Sequence, residues 1–288
     1  MKNETDQFIT VNQCSIRFRE AGNGPTLVLV HGIAGYKEEW QPAINILQEK
    51  FRVIALDLPG HGLSGKPDIA YTISNLTDFV KSFFEAMQLE KVFLAGHSLG
   101  GAITLSFTMQ YPHLVERLIL LNSAFTQLPL FIRLGSLGFL PHVIRKVPFC
   151  FVKASAKRAF YDHSMITNRW LKDAYRYMNE PGALRVMFSI IRSNMTLMGL
   201  KKELRELFLS KLNQLTTPTL ILYGEKDRVV PNRNSKALHQ VLPVSDCVPF
   251  ENCGHELQYE CCEQFCEQVI RFLNQKNPVK METGEQRT

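Results

Sequence analysis

A serine, an aspartate and a histidine stand where acyl-transfer chemistry could be run. Ser98 is the centre of Gly96-His97-Ser98-Leu99-Gly100, directly after the strand-like run Val92 to Ala95 and before the helical run Ala102 to Met109, which Pro112 closes. A serine on so sharp a strand-to-helix turn is held at strained backbone angles, and glycines two before and two after it let neighbouring backbones pass close. A hydroxyl is a weak nucleophile near neutral pH, so it needs a base in hydrogen-bond reach and a third group to orient that base. Asp227 follows the strand-like run Thr219 to Tyr223, 129 residues after Ser98, and His255 comes 28 residues later on a loop after Val248 to Phe250. The order Ser, Asp, His is one that serine nucleophiles on a strand-to-helix elbow use. G-x-x-x-x-G-K-[ST] does not occur, and the one G-x-G-x-x-G run, Gly60 to Gly65, is followed by Lys66-Pro67 rather than by a helical run, so nucleotide binding has no support.

These residues need a scaffold, and the chain supplies the parts of one. Apolar, strand-like runs at Leu27 to Val30, Phe51 to Leu56, Val92 to Ala95, Leu118 to Leu121 and Thr219 to Tyr223 show no polar face and at first alternate with helical stretches. That pattern predicts a mostly parallel, twisted sheet covered by helices on both sides. The segment Phe8 to Arg19 alternates apolar and polar residues and reads as an antiparallel hairpin at one sheet edge. At 288 residues, 45% apolar and 21% charged, the chain fits one large α/β domain with an insertion and excludes intrinsic disorder and coiled coil. The start, MKNETDQ, lacks the apolar run of a secretory signal, and no stretch reaches the roughly 18 apolar residues of a membrane span. Seven cysteines, four of them crowded between Cys253 and Cys266, predict reduced thiols in a cytoplasmic protein, with no metal site.

From 125 to 202 the alternation of strand and helix stops and the sequence turns helical, between two strands of the sheet. This block reads as a helical cap inserted after the sixth main strand, with residues 8–124 and 203–275 as the core and 276–288 as a flexible tail. Thirteen Lys and Arg against Asp162, Asp173 and Glu180 give the block a net charge of +10, in a chain whose total is +6. It also holds eleven of the 29 aromatic residues.

Five motifs in order, His31-Gly32-Ile33, Asp57 to Gly62, the Ser98 elbow, Tyr223 to Asp227 and Gly254-His255, make the chain resemble the α/β-hydrolase superfamily from Phe8 to Leu273. The resemblance implies an α/β-hydrolase fold with Ser98 as nucleophile, His255 as base and Asp227 as its orienting acid. It also implies an oxyanion hole built from the backbone N–H groups of Ile33 and Leu99, and supporting roles for His31, His61 and His97. Some similar proteins carry the acid one strand earlier, but here that strand ends in Leu121-Asn122-Ser123. Relatives that open epoxides or remove halogen use an aspartate nucleophile, so Ser98 disfavours those reactions. Relatives that cleave carbon–carbon bonds often carry Trp after the histidine, where this chain has Glu256.

The resulting expectation is a serine esterase or lipase that cleaves a small-molecule, lipid-like carboxylic ester through an acyl-enzyme, without metal or cofactor. A carbon–carbon bond hydrolase, a thioesterase and a hydrolase-fold ligand receptor remain as alternatives. The basic, aromatic cap predicts peripheral contact with an anionic lipid surface, and no nucleic-acid partner.

Overall fold

The computed structural model describes residues 6–124 and 128–275. The first residues of the expected insertion, 125–127, and the expected tail at 276–288 lie outside the described residues.

The first half of the chain lays down β1 (Gln7–Val11), β2 (Cys14–Ala21), β3 (Thr26–Val30), α1 (Gln41–Leu47), β4 (Arg52–Leu56), α2 (Ile73–Ala86), β5 (Val92–His97), α3 (Leu99–Gln110) and β6 (Val115–Leu121). After β6 the chain leaves the sheet through α4 (Leu130–Arg133), α5 (Leu140–Val143), α6 (Phe149–Ala159), α7 (Asn168–Met178) and α8 (Ala183–Asn194). A two-residue antiparallel ladder, β7 (Met195–Thr196) with β8 (Gly199–Leu200), interrupts the helical character expected there. Helix α9 (Lys202–Lys211) leads back to β9 (Thr219–Gly224), α10 (Arg233–Val241), β10 (Ser245–Phe250), α11 (Leu257–Glu260) and α12 (Cys262–Leu273).

Eight strands form one sheet in the order β1-β2-β4-β3-β5-β6-β9-β10. The hairpin β1-β2 is the antiparallel edge, turning at Asn12 and Gln13 with φ of 48° and 62°, and β2 pairs antiparallel with β4. From β4 to β10 every pairing is parallel. The buried runs of the central strands, such as Leu27 to Val30 and Leu118 to Leu121, are apolar because both faces are covered. In β3, Val28 and Val30 face a core built with α2 and α3, where Phe79, Phe83, Ile103 and Phe107 pack. Leu27 and Leu29 face the opposite core, with Trp40, Leu257, Phe265 and Val269. Helix α3 is buried almost throughout, since it lies between the central strands β5 and β6 and helix α2.

The inserted helices have a small core of their own, Val147, Val152, Ala156, Leu171, Ala174 and Tyr177, which packs on Tyr36. They are also stitched to the sheet domain by polar groups. Asn194 at the end of α8 accepts from the Ile73 amide at 2.8 Å and donates to the Tyr71 carbonyl at 2.9 Å. Arg17 of β2 reaches the Tyr177 hydroxyl at 3.2 Å and pairs with Asp57 and Glu38.

Candidate active site

The turn between β5 and α3 holds Ser98 at φ 53° and ψ −116°, a conformation that costs energy for a residue with a Cβ. Two neighbouring close approaches explain the flanking glycines. A Cβ on Gly96 would lie 2.3 Å from Thr104 Oγ1 and 2.4 Å from the Gly100 carbonyl oxygen. One on Gly100 would lie 2.4 Å from the carbonyl oxygens of both Val30 and His31. The Ser98 carbonyl accepts from the amides of Gly101, Ala102 and Ala124, and its own amide donates to Leu121. The elbow is therefore held by β6 and by the start of α3.

Asp227 and His255 meet from separate loops. Asp227 follows β9, and one of its carboxylate oxygens accepts the amides of Val229 and Val230 at 2.7 and 2.9 Å. The other oxygen lies 2.7 Å from His255 Nδ1, on the loop after β10. This bond fixes the imidazole with Nε2 free to take a proton. Burial opposes charging of His255, but the Asp227 carboxylate and, more weakly, Glu256 outweigh it and raise its pKa above 6.5.

The loop after β3 carries Ile33. A Cβ on the preceding Gly32 would lie 3.0 Å from Ser98 Cβ, so this backbone runs against the serine. Leu99 begins α3, where unpaired amides and the helix dipole favour negative charge. Among the described residues no hydrogen bond occupies the amide of Ile33 or of Leu99. His31 Nε2 accepts the Leu58 amide at 3.0 Å, so its Nδ1 carries the proton and donates to the Gly32 carbonyl at 2.7 Å. Burial lowers the His31 pKa to about 4 and that of His61, beside it, to about 3, which keeps both neutral.

Several residues around the site escaped the sequence reading. Asn122, at φ 42° after β6, accepts from Gly224 at 2.9 Å and donates to the carbonyls of Gly254 and His255 at 3.2 and 2.8 Å. It thus ties β6, β9 and the histidine loop together. The sequence offers one clue, a short polar residue at the strand end where similar proteins place the acid. Glu260 caps the same loop, its carboxylate accepting the amides of Gly254, Tyr161 and Asp162. His97, by contrast, is expected in a supporting role: its ring packs on that of His255, with centroids 4.6 Å apart, and its Nε2 donates to the His255 carbonyl at 2.9 Å.

Behind this ring, Glu39, His97 and Glu256 are all buried and bring ligand atoms within 4.8 Å of one another. Among the described residues these three are the group that could hold a metal ion. His97 Nδ1 has no partner among the described residues. Burial, reinforced by their mutual repulsion in the case of Glu39, raises the pKa of both carboxyls.

Ser98 is only 5% exposed. An apolar cluster lies beside it: Leu128, Ile191, Met195 and Val230 are buried together, with Ile33, Ala124 and Val229 packed on them. A charged cleft between core and insert, lined by Arg17, Glu38, Arg169, Asp173 and Arg176 among others, includes none of Ser98, Asp227 and His255. No helix among the described residues is long and apolar enough to cross a membrane.

The chain is similar to a 2-hydroxy-6-oxo-2,4-heptadienoate hydrolase of Pseudomonas putida, at 29% identity over 283 residues, covering 94% of this chain and 96% of that protein. Among solved structures it is similar to a serine hydrolase involved in carbazole degradation, with TM-score 0.79, 25% identity and coverage of 93% and 98%. It is also similar to a membrane phospholipase A, with TM-score 0.74, 26% identity and coverage of 94% and 86%. The sheet order, the elbow on β5 and a family profile described as alpha/beta hydrolase fold, matching residues 25–260, lead to one conclusion: the chain belongs to the α/β-hydrolase family.

Proposed function

We propose that this hydrolase cleaves carboxylic esters whose acyl group is apolar, through an acyl-enzyme on Ser98. The observation that carries this reading is the apolar cluster beside the serine. It joins the Ile33 loop to Val229 and Val230 of the Asp227 loop and to Leu128, Ile191 and Met195 of the insert. Such a wall accommodates a hydrocarbon chain.

In the proposed reaction His255 Nε2 removes the Ser98 proton while Asp227 holds the Nδ1 proton and stabilises the imidazolium. Ser98 Oγ adds to the carbonyl carbon, and the amides of Ile33 and Leu99 bind the oxyanion. Collapse expels the alcohol, which takes the proton back from His255. Water, deprotonated by His255, then attacks the acyl-enzyme and releases the acid and Ser98.

A carbon–carbon bond hydrolase is the second reading, favoured by the similarity to the heptadienoate hydrolase. Initial rates on p-nitrophenyl esters from acetate to palmitate, and on a 2-hydroxy-6-oxo-dienoate, separate the two. Ester turnover lost by a factor on the order of 10⁶ in Ser98→Ala supports the first reading. Turnover of the dienoate with esters inert overturns it in favour of the second.

A further inference from the structure

The outer wall of the insert carries surface that its packing on the sheet domain does not use. From residue 117 to residue 161 the chain has no Asp or Glu. Within this stretch Arg145, Lys146, Lys153, Lys157 and Arg158 are all exposed, and among the described residues none of them is paired with a carboxylate. Large apolar side chains share that wall. Val143 is 72% exposed and Phe139 59%, and Leu130, Phe131, Phe149 and Phe151 are exposed as well.

The two kinds of group belong to one surface. The Arg158 guanidinium of α6 stacks over the Phe131 ring of α4 at 4.5 Å, and Lys146 lies over Tyr175, whose ring meets Phe149 at 5.5 Å. On α6 the buried Val152, Ala156 and Ala159 face inward, which turns Phe151, Ala154 and Arg158 outward. So many exposed apolar side chains in 22 residues, Leu130 to Phe151, mark an interaction surface.

From this juxtaposition we infer that the outer wall of α4 to α6 docks on an anionic lipid bilayer. The bilayer offers both things the wall requires, negative charge at the headgroups and an apolar phase beneath them. A nucleic acid would satisfy the cations and leave the apolar side chains in water. A second copy of the chain would cover the apolar side chains and set five unpaired cations against five more. Lysine and arginine stems lie along apolar surface while their heads stay at the phosphates, so both groups are served in one orientation.

This inference stands apart from the proposed reaction, since its test reads binding. Sedimentation of the full chain with vesicles of phosphatidylcholine alone is compared with vesicles containing about 30% phosphatidylglycerol. Binding is expected to the anionic vesicles, falling by about tenfold or more between roughly 50 mM and 500 mM salt. The triple variant Lys146→Glu, Lys153→Glu, Lys157→Glu should bind at least about tenfold more weakly, and Phe139→Ser with Val143→Ser should weaken binding while leaving it salt-dependent. All five positions are exposed, so an unchanged circular dichroism spectrum separates lost docking from lost folding. Ser98→Ala should bind as the wild type does. Equal binding to both vesicle types, or none, overturns the inference. So does a dimer in sedimentation equilibrium that Phe139→Ser with Val143→Ser dissolves, which would assign the wall to a second copy.

Discussion

The main-chain amide of His255 donates a 2.6 Å hydrogen bond to the carbonyl of Ala159, the last residue of α6. The candidate catalytic base is thus held on one side by Asp227 and on the other by the helical insert. Any displacement of α6 acts on the loop that carries the imidazole.

Glu260 is the staple of this joint. Its carboxylate accepts three amides, one from the histidine loop and two from the chain just after α6. Glu260→Gln sets an NH₂ donor against those donors and should cost about 1–3 kcal/mol in stability, read from urea unfolding. Misplacement of the imidazole should lower kcat/KM by ten- to a hundredfold, on the order expected for a small error of position. A variant with wild-type kinetics would mean that the joint does not position His255.

Gly100 lies where α3 crosses β3, and the Cβ of an alanine there would meet two backbone carbonyls at 2.4 Å. Backbone cannot swing aside as a side chain can, so Gly100→Ala should destabilise the fold by about 1–3 kcal/mol or more. A urea midpoint equal to that of the wild type would contradict the crossing described.

The acid limb of kcat/KM reports the base. Only neutral His255 can take the serine proton, and its pKa lies above 6.5 because Asp227 and Glu256 together outweigh burial. Activity should therefore fall with decreasing pH through a midpoint above 6.5. Glu256→Gln removes one raising charge and should move that midpoint to lower pH; an unmoved midpoint would exclude Glu256 as an influence on the base.

Stability has its own dependence on pH. His61 titrates at about 3 when folded, because burial and the neighbouring His31 lower it, and near 6.5 when unfolded. Between those values the unfolded chain binds the extra proton, so this contribution is complete above 6.5 and is lost as pH falls toward 3. Asp57 acts in the opposite sense. Burial raises its carboxyl to about 6 against the pull of Arg17, so the folded chain keeps that proton longer and regains stability as pH drops below 6. Chemical unfolding from pH 7 to 4 should therefore show a slope that is shallower by about one proton in His61→Gln than in the wild type. An identical slope would mean that His61 is not buried neutral.

The sequence by itself determined the covered parallel sheet, since Leu27 to Val30 or Leu118 to Leu121 cannot be so uniformly apolar on a sheet with one wet face. It determined the antiparallel hairpin at the edge through alternation along Phe8 to Arg19, and the elbow through two glycines flanking Ser98. Periodicity and glycine spacing are local signals, written within a few residues of the structure that they describe. What only the tertiary structure decided are pairings between distant segments. Asn122 holds the carbonyl of His255 across 133 residues, the Ala159 carbonyl takes the histidine amide, and Glu39, His97 and Glu256 gather from three separate loops and strands. Neither end of such a contact carries a pattern of its own. An amide, a carboxylate or a backbone carbonyl reads in sequence as an ordinary polar group until the sheet order and the seating of the insert bring its partner within hydrogen-bond distance.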